Sequence, residues 1–164
     1  MTLSLTTLNP ILGRWRTSGT IVDSDGNPDG EISGTDTYTA LPGGQWIAHD
    51  VAVTIGTQRT LAHELIGGAH PDGGWHMYAF DEASEPGLMR LSLRDDNLLL
   101  LEGNGIRSWF HFRAGPHHMT TRSEQCDGDI WRTWMTMRFD RIGLNRAESV
   151  TGPHHPVNDP ERQL

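Results

Sequence analysis

Lysine is absent from this chain of 164 residues; all 13 basic residues are arginine. Lysine Schiff-base chemistry, pyridoxal phosphate attachment and the lysine of a phosphate-binding loop are excluded together. Cysteine is nearly absent as well. Cys126 stands alone, so no internal disulfide forms and sites built on several thiolates are ruled out. Long hydrophobic runs are missing: the longest, Leu98–Leu101, is far too short to span a bilayer. The segment Met1 to Pro10 has neither a basic stretch nor a long apolar one. No signal peptide and no membrane partner are therefore expected, and the location expected is cytoplasmic. Positive charge is scarce too. A net charge of -8 lacks the field that non-specific nucleic-acid binding needs, so no nucleic-acid partner is expected.

What is present points to β-structure. Hydrophobic residues make up only 35%, yet 19 glycines and 6 tryptophans do not describe a disordered chain. The hydrophobic period is two nearly throughout, in short segments punctuated by Gly, Pro, Asn and Asp. Strands are expected near 13–22, 34–41, 45–55, 59–68, 75–81, 87–94, 97–102, 105–114, 117–126 and 130–142. The connectors are tight, which favours antiparallel neighbours. The best helix candidate is a turn or two over Leu5–Leu12. About ten such strands without helices predict an all-β fold. The expectation is a closed antiparallel up-and-down barrel with a short N-terminal closing turn. One domain is expected over 1–142, followed by a flexible tail over 143–164 that lacks any apolar stripe.

Alternation assigns faces. Ile47, His49, Val51 and Val53 share an inward face, as do Ile106, Phe110 and Phe112, and Trp131, Met135, Met137 and Phe139. His111 falls outside. A hairpin turn over 56–58 places His63 on the same inner face as His49, with Glu64 on the opposite one. Two buried imidazoles need partners, and each suits either anchoring a ligand or moving a proton near neutral pH. Burial of His49 among apolar residues is expected to lower its pKa and keep it neutral at pH 7. A metal would need a third inward ligand, with His76 and Glu64 the nearest choices, and no metal site is expected.

Other patterns are weaker. His63-Glu64-Leu65-Ile66-Gly67 begins like a helical zinc-protease motif but fails at Gly67 and sits on a strand. Asp25-x-Asn27-x-Asp29-Gly30 with Asp36 has calcium-loop spacing, but a hairpin loop explains it better. Cys126 beside a turn reads as structural. Trp46, Trp75, Trp109, Trp131 and Trp134 suit wall and floor packing more than ligand stacking. Trp109 and Trp134 fall on outward faces, which raises the expectation of a homodimer covering them.

Gly13-x-Trp15 opens the first strand after a short apolar turn, and Arg141 ends the last strand. With them stand Gly34-Thr35-Asp36-Thr37-Tyr38, Leu41-Pro42-Gly43-Gly44, His49, Asp127-Gly128-x-x-Trp131 and Met135-x-Met137-x-x-x-Arg141. This ordered set, over roughly residues 8–142, resembles a bacterial family of lipocalin-like (calycin-type) barrels of uncharacterised function. The resemblance implies a barrel with a cavity, closed by Trp15 with Arg141 stacked on it, and implies no activity. Nitrobindins are similar, more distant ten-stranded barrels that hold haem on a histidine near the last strand. This chain offers Trp131, Trp134 and Arg138 there, so no cofactor is expected.

The function expected is binding of one small, mainly apolar molecule, hydrophobic or aromatic, in the barrel. Ile47, Val51, Val53, Met77, Phe110, Met119, Met135 and Met137 would line the cavity, and His49, His63, Thr121 and Ser123 would orient polar groups. The alternative is a cofactor-independent isomerase or cyclase with His49 or His63 as general acid or base. A third reading, an interaction protein with a solid barrel, would need bulkier inward residues than Thr17, Gly19, Thr121 and Ser123.

Overall fold

The computed structural model describes residues 3–143, so all but the first residue of the expected tail lies outside the described residues. A 3-10 helix, Leu5–Ile11, precedes ten strands. These are β1 (Gly13–Val22), β2 (Pro28–Ala40), β3 (Trp46–Ile55), β4 (Gln58–Ala69) and β5 (Trp75–Phe80). They continue as β6 (Gly87–Asp95), β7 (Leu98–Gly103), β8 (Ile106–Gly115), β9 (His118–Asp127) and β10 (Ile130–Arg141). Each strand pairs antiparallel with the next, and β10 returns to β1 to close the barrel. The architecture is the expected lipocalin-like one, and closure leaves no sheet edge exposed.

Turn chemistry sets the registers. Asn104 and Gly105 both have positive φ, 53° and 71°, and join Gly103 to its partner Ile106 in a two-residue turn. That geometry suits the right-handed twist of the flanking strands. The β3–β4 turn is also two residues long: Ile55 pairs with Gln58, and Gly56 comes first with φ 61°. A glycine-first two-residue turn is a standard hairpin solution.

The N-terminal helix plugs one end. Ser4 caps it, its hydroxyl accepting from the Thr6 amide at 3.3 Å, and Leu8 and Ile11 are driven into the barrel. Trp15 donates from Nε1 to the Ile11 carbonyl at 2.8 Å. The Arg141 guanidinium lies 4.0 Å from the Trp15 ring centroid and donates to the carbonyls of Leu12 (2.7 Å) and Pro10 (2.8 Å). One planar cation thus stacks on the floor and satisfies carbonyls at the helix exit. Gly13 is needed beside it. Its φ is 122°, and a Cβ there would stand 2.6 Å from Arg141 Nη1. Ile47 and Met119 belong to this packed end, in one buried cluster with Leu8, Ile11, Trp15, Phe112 and Phe139.

Two expectations fail for reasons of register and strand length. Trp131 is on the outside, because a bulge at Trp134 separates the pairs Thr133–Glu124 and Met135–Ser123. One inserted residue reverses the alternation before it. Trp131 is 37% exposed, with Arg107 stacked 4.3 Å from its centroid. In addition, β2 begins at Pro28, six residues earlier than expected, so Asp29, Gly30 and Asp36 are strand residues and no calcium-type loop exists there.

Candidate functional site

The barrel is hollow above its packed floor. A cavity of about 280 Å³ runs from Ile11 and Phe139 to Ile55 beside the β3–β4 turn. The solid-barrel reading is overturned by that space. Its wall is apolar over most of its extent: Ile32, Val51, Val53, Ile66, Met77, Leu91, Leu101, Phe110, Met135 and Met137 all contribute. Of the residues expected to line it, Val51, Val53, Met77, Phe110, Thr121, Ser123, Met135, Met137 and His49 do so. Ile47 and Met119 are buried but are not among the residues that line it.

His63 is not in the cavity. It pairs across the sheet with Asp50, is half-exposed on the outer face, and bonds Asp50 Oδ1 through Nδ1 at 2.6 Å. The two-residue β3–β4 turn is the cause. It pairs odd positions of β3 with even positions of β4, so Glu64, not His63, faces inward opposite His49.

The inner polar group is therefore a row across three strands. Tyr38 on β2, His49 on β3 and Glu64 on β4 are directly opposed, and Asp36 lies two residues along β2. Directly opposed residues share a face, so pairing forces these side chains together. His49 Nε2 is 2.7 Å from Asp36 Oδ1, and His49 Nδ1 is 2.5 Å from Glu64 Oε2. The Thr17 hydroxyl donates to the other Asp36 oxygen, Oδ2. Tyr38 stacks on the imidazole, centroids 3.9 Å apart and planes within 8°. Asp36 and His49 are buried, at 4% and 8% exposure, while Glu64 is partly open to the cavity.

These contacts reverse the expected protonation of His49. Burial pushes the imidazole pKa down, as expected. The Glu64 charge, the hydrogen bonds to Asp36 and Glu64, and the Asp36 charge push it up further, to about 9. At pH 7 the ring is an imidazolium that donates from both nitrogens. Burial, with Asp36 and Glu64 adding to it, holds the Tyr38 phenol well above its ordinary pKa, so it stays neutral. With both nitrogens engaged, His49 has none left to offer a ligand. Glu64 Oε1 accepts no hydrogen bond among the described residues and is the open acceptor of the group.

The opposite wall carries hydroxyls. Ser108 Oγ and Ser123 Oγ are 2.7 Å apart, and Thr121 Oγ1 is buried with no partner among the described residues. Asp36, Glu64, Tyr38 and Ser108 are the site residues that sequence reasoning missed. A two-residue reading of Gly56-Thr57 would have found Glu64. Among the described residues, no three His, Cys, Asp or Glu side chains converge as metal ligands. Outside the barrel, Trp109 is half-buried and donates to Glu124 at 3.1 Å, whereas the Trp134 indole nitrogen is buried without a partner among the described residues.

No family model matches the sequence. No curated protein is recognisably related to it. Among solved structures, the barrel is similar to an S-type phycobiliprotein lyase from Guillardia theta, with a TM-score of 0.58 at 9% identity. That match covers 86% of this chain and 94% of the lyase. A protein of unknown function from the DUF3598 family of Nostoc punctiforme gives a TM-score of 0.42 at 15% identity, over 82% of this chain and 49% of that one. The lyase likeness establishes the fold, and among the described residues no helix is long and apolar enough to cross a membrane.

Proposed function

We propose that this protein binds one small, mainly apolar molecule inside its barrel, as a member of the lipocalin-like family it resembles, in the cytoplasm. The observation that carries the reading is a cavity of about 280 Å³ with an apolar wall and one concentrated polar group. Such a cavity is near the lower bound of known ligand pockets, about 300 Å³. Apolar walls supply the burial that drives binding, and the few polar atoms supply orientation. The structural neighbour is named as a phycobiliprotein lyase, which supports a ligand-handling use for a barrel of this shape.

The acid–base alternative moves to a different residue. His49 has both nitrogens committed, so accepting a proton from a bound molecule would fall to the Glu64 carboxylate. The homodimer remains a proposal seated on the outer face at Trp109 and Trp134, and a monomer in light scattering removes it.

The binding reading is tested with N-phenyl-1-naphthylamine, a neutral probe that fluoresces in apolar surroundings. Saturable one-to-one binding is expected, with loss in Val53→Phe, which fills the cavity from a wall position. Probe binding that is non-saturable, or unchanged in Val53→Phe while the circular dichroism is native, overturns it.

A further inference from the structure

Charge inside the barrel is unbalanced. Two carboxylates, Asp36 and Glu64, face the cavity, and among the described residues no Arg lines it. The imidazole of His49 contributes at most one positive charge. The enclosed group is therefore net negative by one with His49 protonated, and by two without. A buried charge left without a counter-charge is costly, and removing one partner of a buried pair is worse. Asp36 is fully used, with one oxygen on His49 and the other on Thr17. Glu64 is not: one oxygen holds His49 and the other, Oε1, is open.

Resting on the cavity-binding reading, we infer that the bound molecule carries a protonated nitrogen, as an amine or a nitrogen heterocycle on an apolar skeleton, with Glu64 Oε1 as its counter-ion. The cation takes the open acceptor, and the apolar remainder lies along Val51, Val53, Met77 and Met135. His49 acts as a positioning residue: its Nδ1–H fixes Glu64 Oε2, which turns Oε1 toward the ligand, and Asp36 with Thr17 fixes the ring from behind. Anionic amphiphiles such as fatty carboxylates are disfavoured, because they would add a third carboxylate beside the first two.

A matched series separates this inference from the reading beneath it. Octylamine, octanol and octanoate share one skeleton and differ in charge, and each is titrated at pH 7 against the bound neutral probe. The expected order is amine, then alcohol, then carboxylate, with about tenfold or more between the first two, the size of a charge-assisted hydrogen bond in a dry site. In Glu64→Gln, an isosteric change, the preference for amine over alcohol should collapse while alcohol affinity stays within a few-fold. If amine and alcohol displace the probe equally in the wild type, or octanoate displaces it best, the inference fails and cavity binding stands. Should the neutral probe itself not bind, the binding reading fails and the inference with it.

Discussion

Glu64 holds His49 from the directly opposed position of the neighbouring strand, Oε2 to Nδ1 at 2.5 Å. Pairing puts them there, and pairing follows from a two-residue turn. The contact converts a residue that looks like a lone histidine on an apolar strand into the centre of a carboxylate–imidazolium–carboxylate row.

The Glu64 charge is the largest influence raising the His49 pKa toward 9. Glu64→Gln removes that charge and keeps the shape. The His49 titration, followed by its ring proton resonances, should move down by about one unit or more, the usual effect of one adjacent opposite charge. Asp36→Asn should move it in the same direction. A titration unmoved by both changes would mean that the row does not exist in solution.

Stability should fall as pH rises. The folded-state pKa of His49 is about 9 and the ordinary value is 6.5, so the folded protein holds this proton more tightly than the unfolded chain. The linked stabilisation is complete below about pH 6.5 and is lost as pH rises through about 9. A shift of this size corresponds to roughly 3 kcal/mol across that window. Urea midpoints at pH 6, 7, 8 and 9 should decline steadily for the wild type. His49→Gln should start lower and be much flatter, and parallel curves for the two proteins would refute the linkage.

Arg141 should contribute more than an ordinary surface arginine. It stacks on Trp15 and serves the Leu12 and Pro10 carbonyls at once. Arg141→Ala should cost about 2–3 kcal/mol in urea unfolding, through two carbonyls losing their donor and one lost cation–π contact. Arg141→Lys should recover only part, since an ammonium cannot supply the planar fork. Gly13→Ala should be comparably harmful, because it forces a side chain into φ 122° and toward the guanidinium. An Arg141→Ala midpoint equal to wild type would show that the floor does not depend on this contact.

Sequence pattern revealed the barrel because each strand carries its own alternation and each connector its own turn residues. Thr121, Ser123, Met135 and Met137 could be placed inward from local parity alone. Failures came where one residue of register decides a whole strand. Reading the β3–β4 turn as three residues exchanged His63 for Glu64 and hid the acid beside His49. The bulge at Trp134 did the same to Trp131, since a bulge leaves no mark in alternation until the partner strand is known. The inward placement of Asp36 was illegible for another reason: in the first part of β2, Gly, Ser and Thr alternate with little hydrophobic contrast. The pKa of His49 followed these errors, because burial without its two carboxylates points the opposite way.

Thr121 gives the most direct link between stability and binding. Its hydroxyl oxygen is buried at the cavity wall without a partner among the described residues. A buried polar atom left unpaired costs about 1–3 kcal/mol, and Val has the same shape without the hydroxyl. Thr121→Val should therefore leave the free protein as stable as wild type or raise it by about 1 kcal/mol. This outcome separates two roles. If Thr121 only packs, the variant binds apolar probes at least as well as wild type. If the hydroxyl orients a ligand polar group, the variant gains stability in the free protein and loses affinity for ligands able to bond to it, while its affinity for hydrocarbon-like probes is unchanged. The alcohol of the octyl series, compared with octane-like probes lacking any polar atom, reads that difference. A variant destabilised by more than about 1 kcal/mol would mean that the hydroxyl has a partner in solution and is part of the wall rather than of the site.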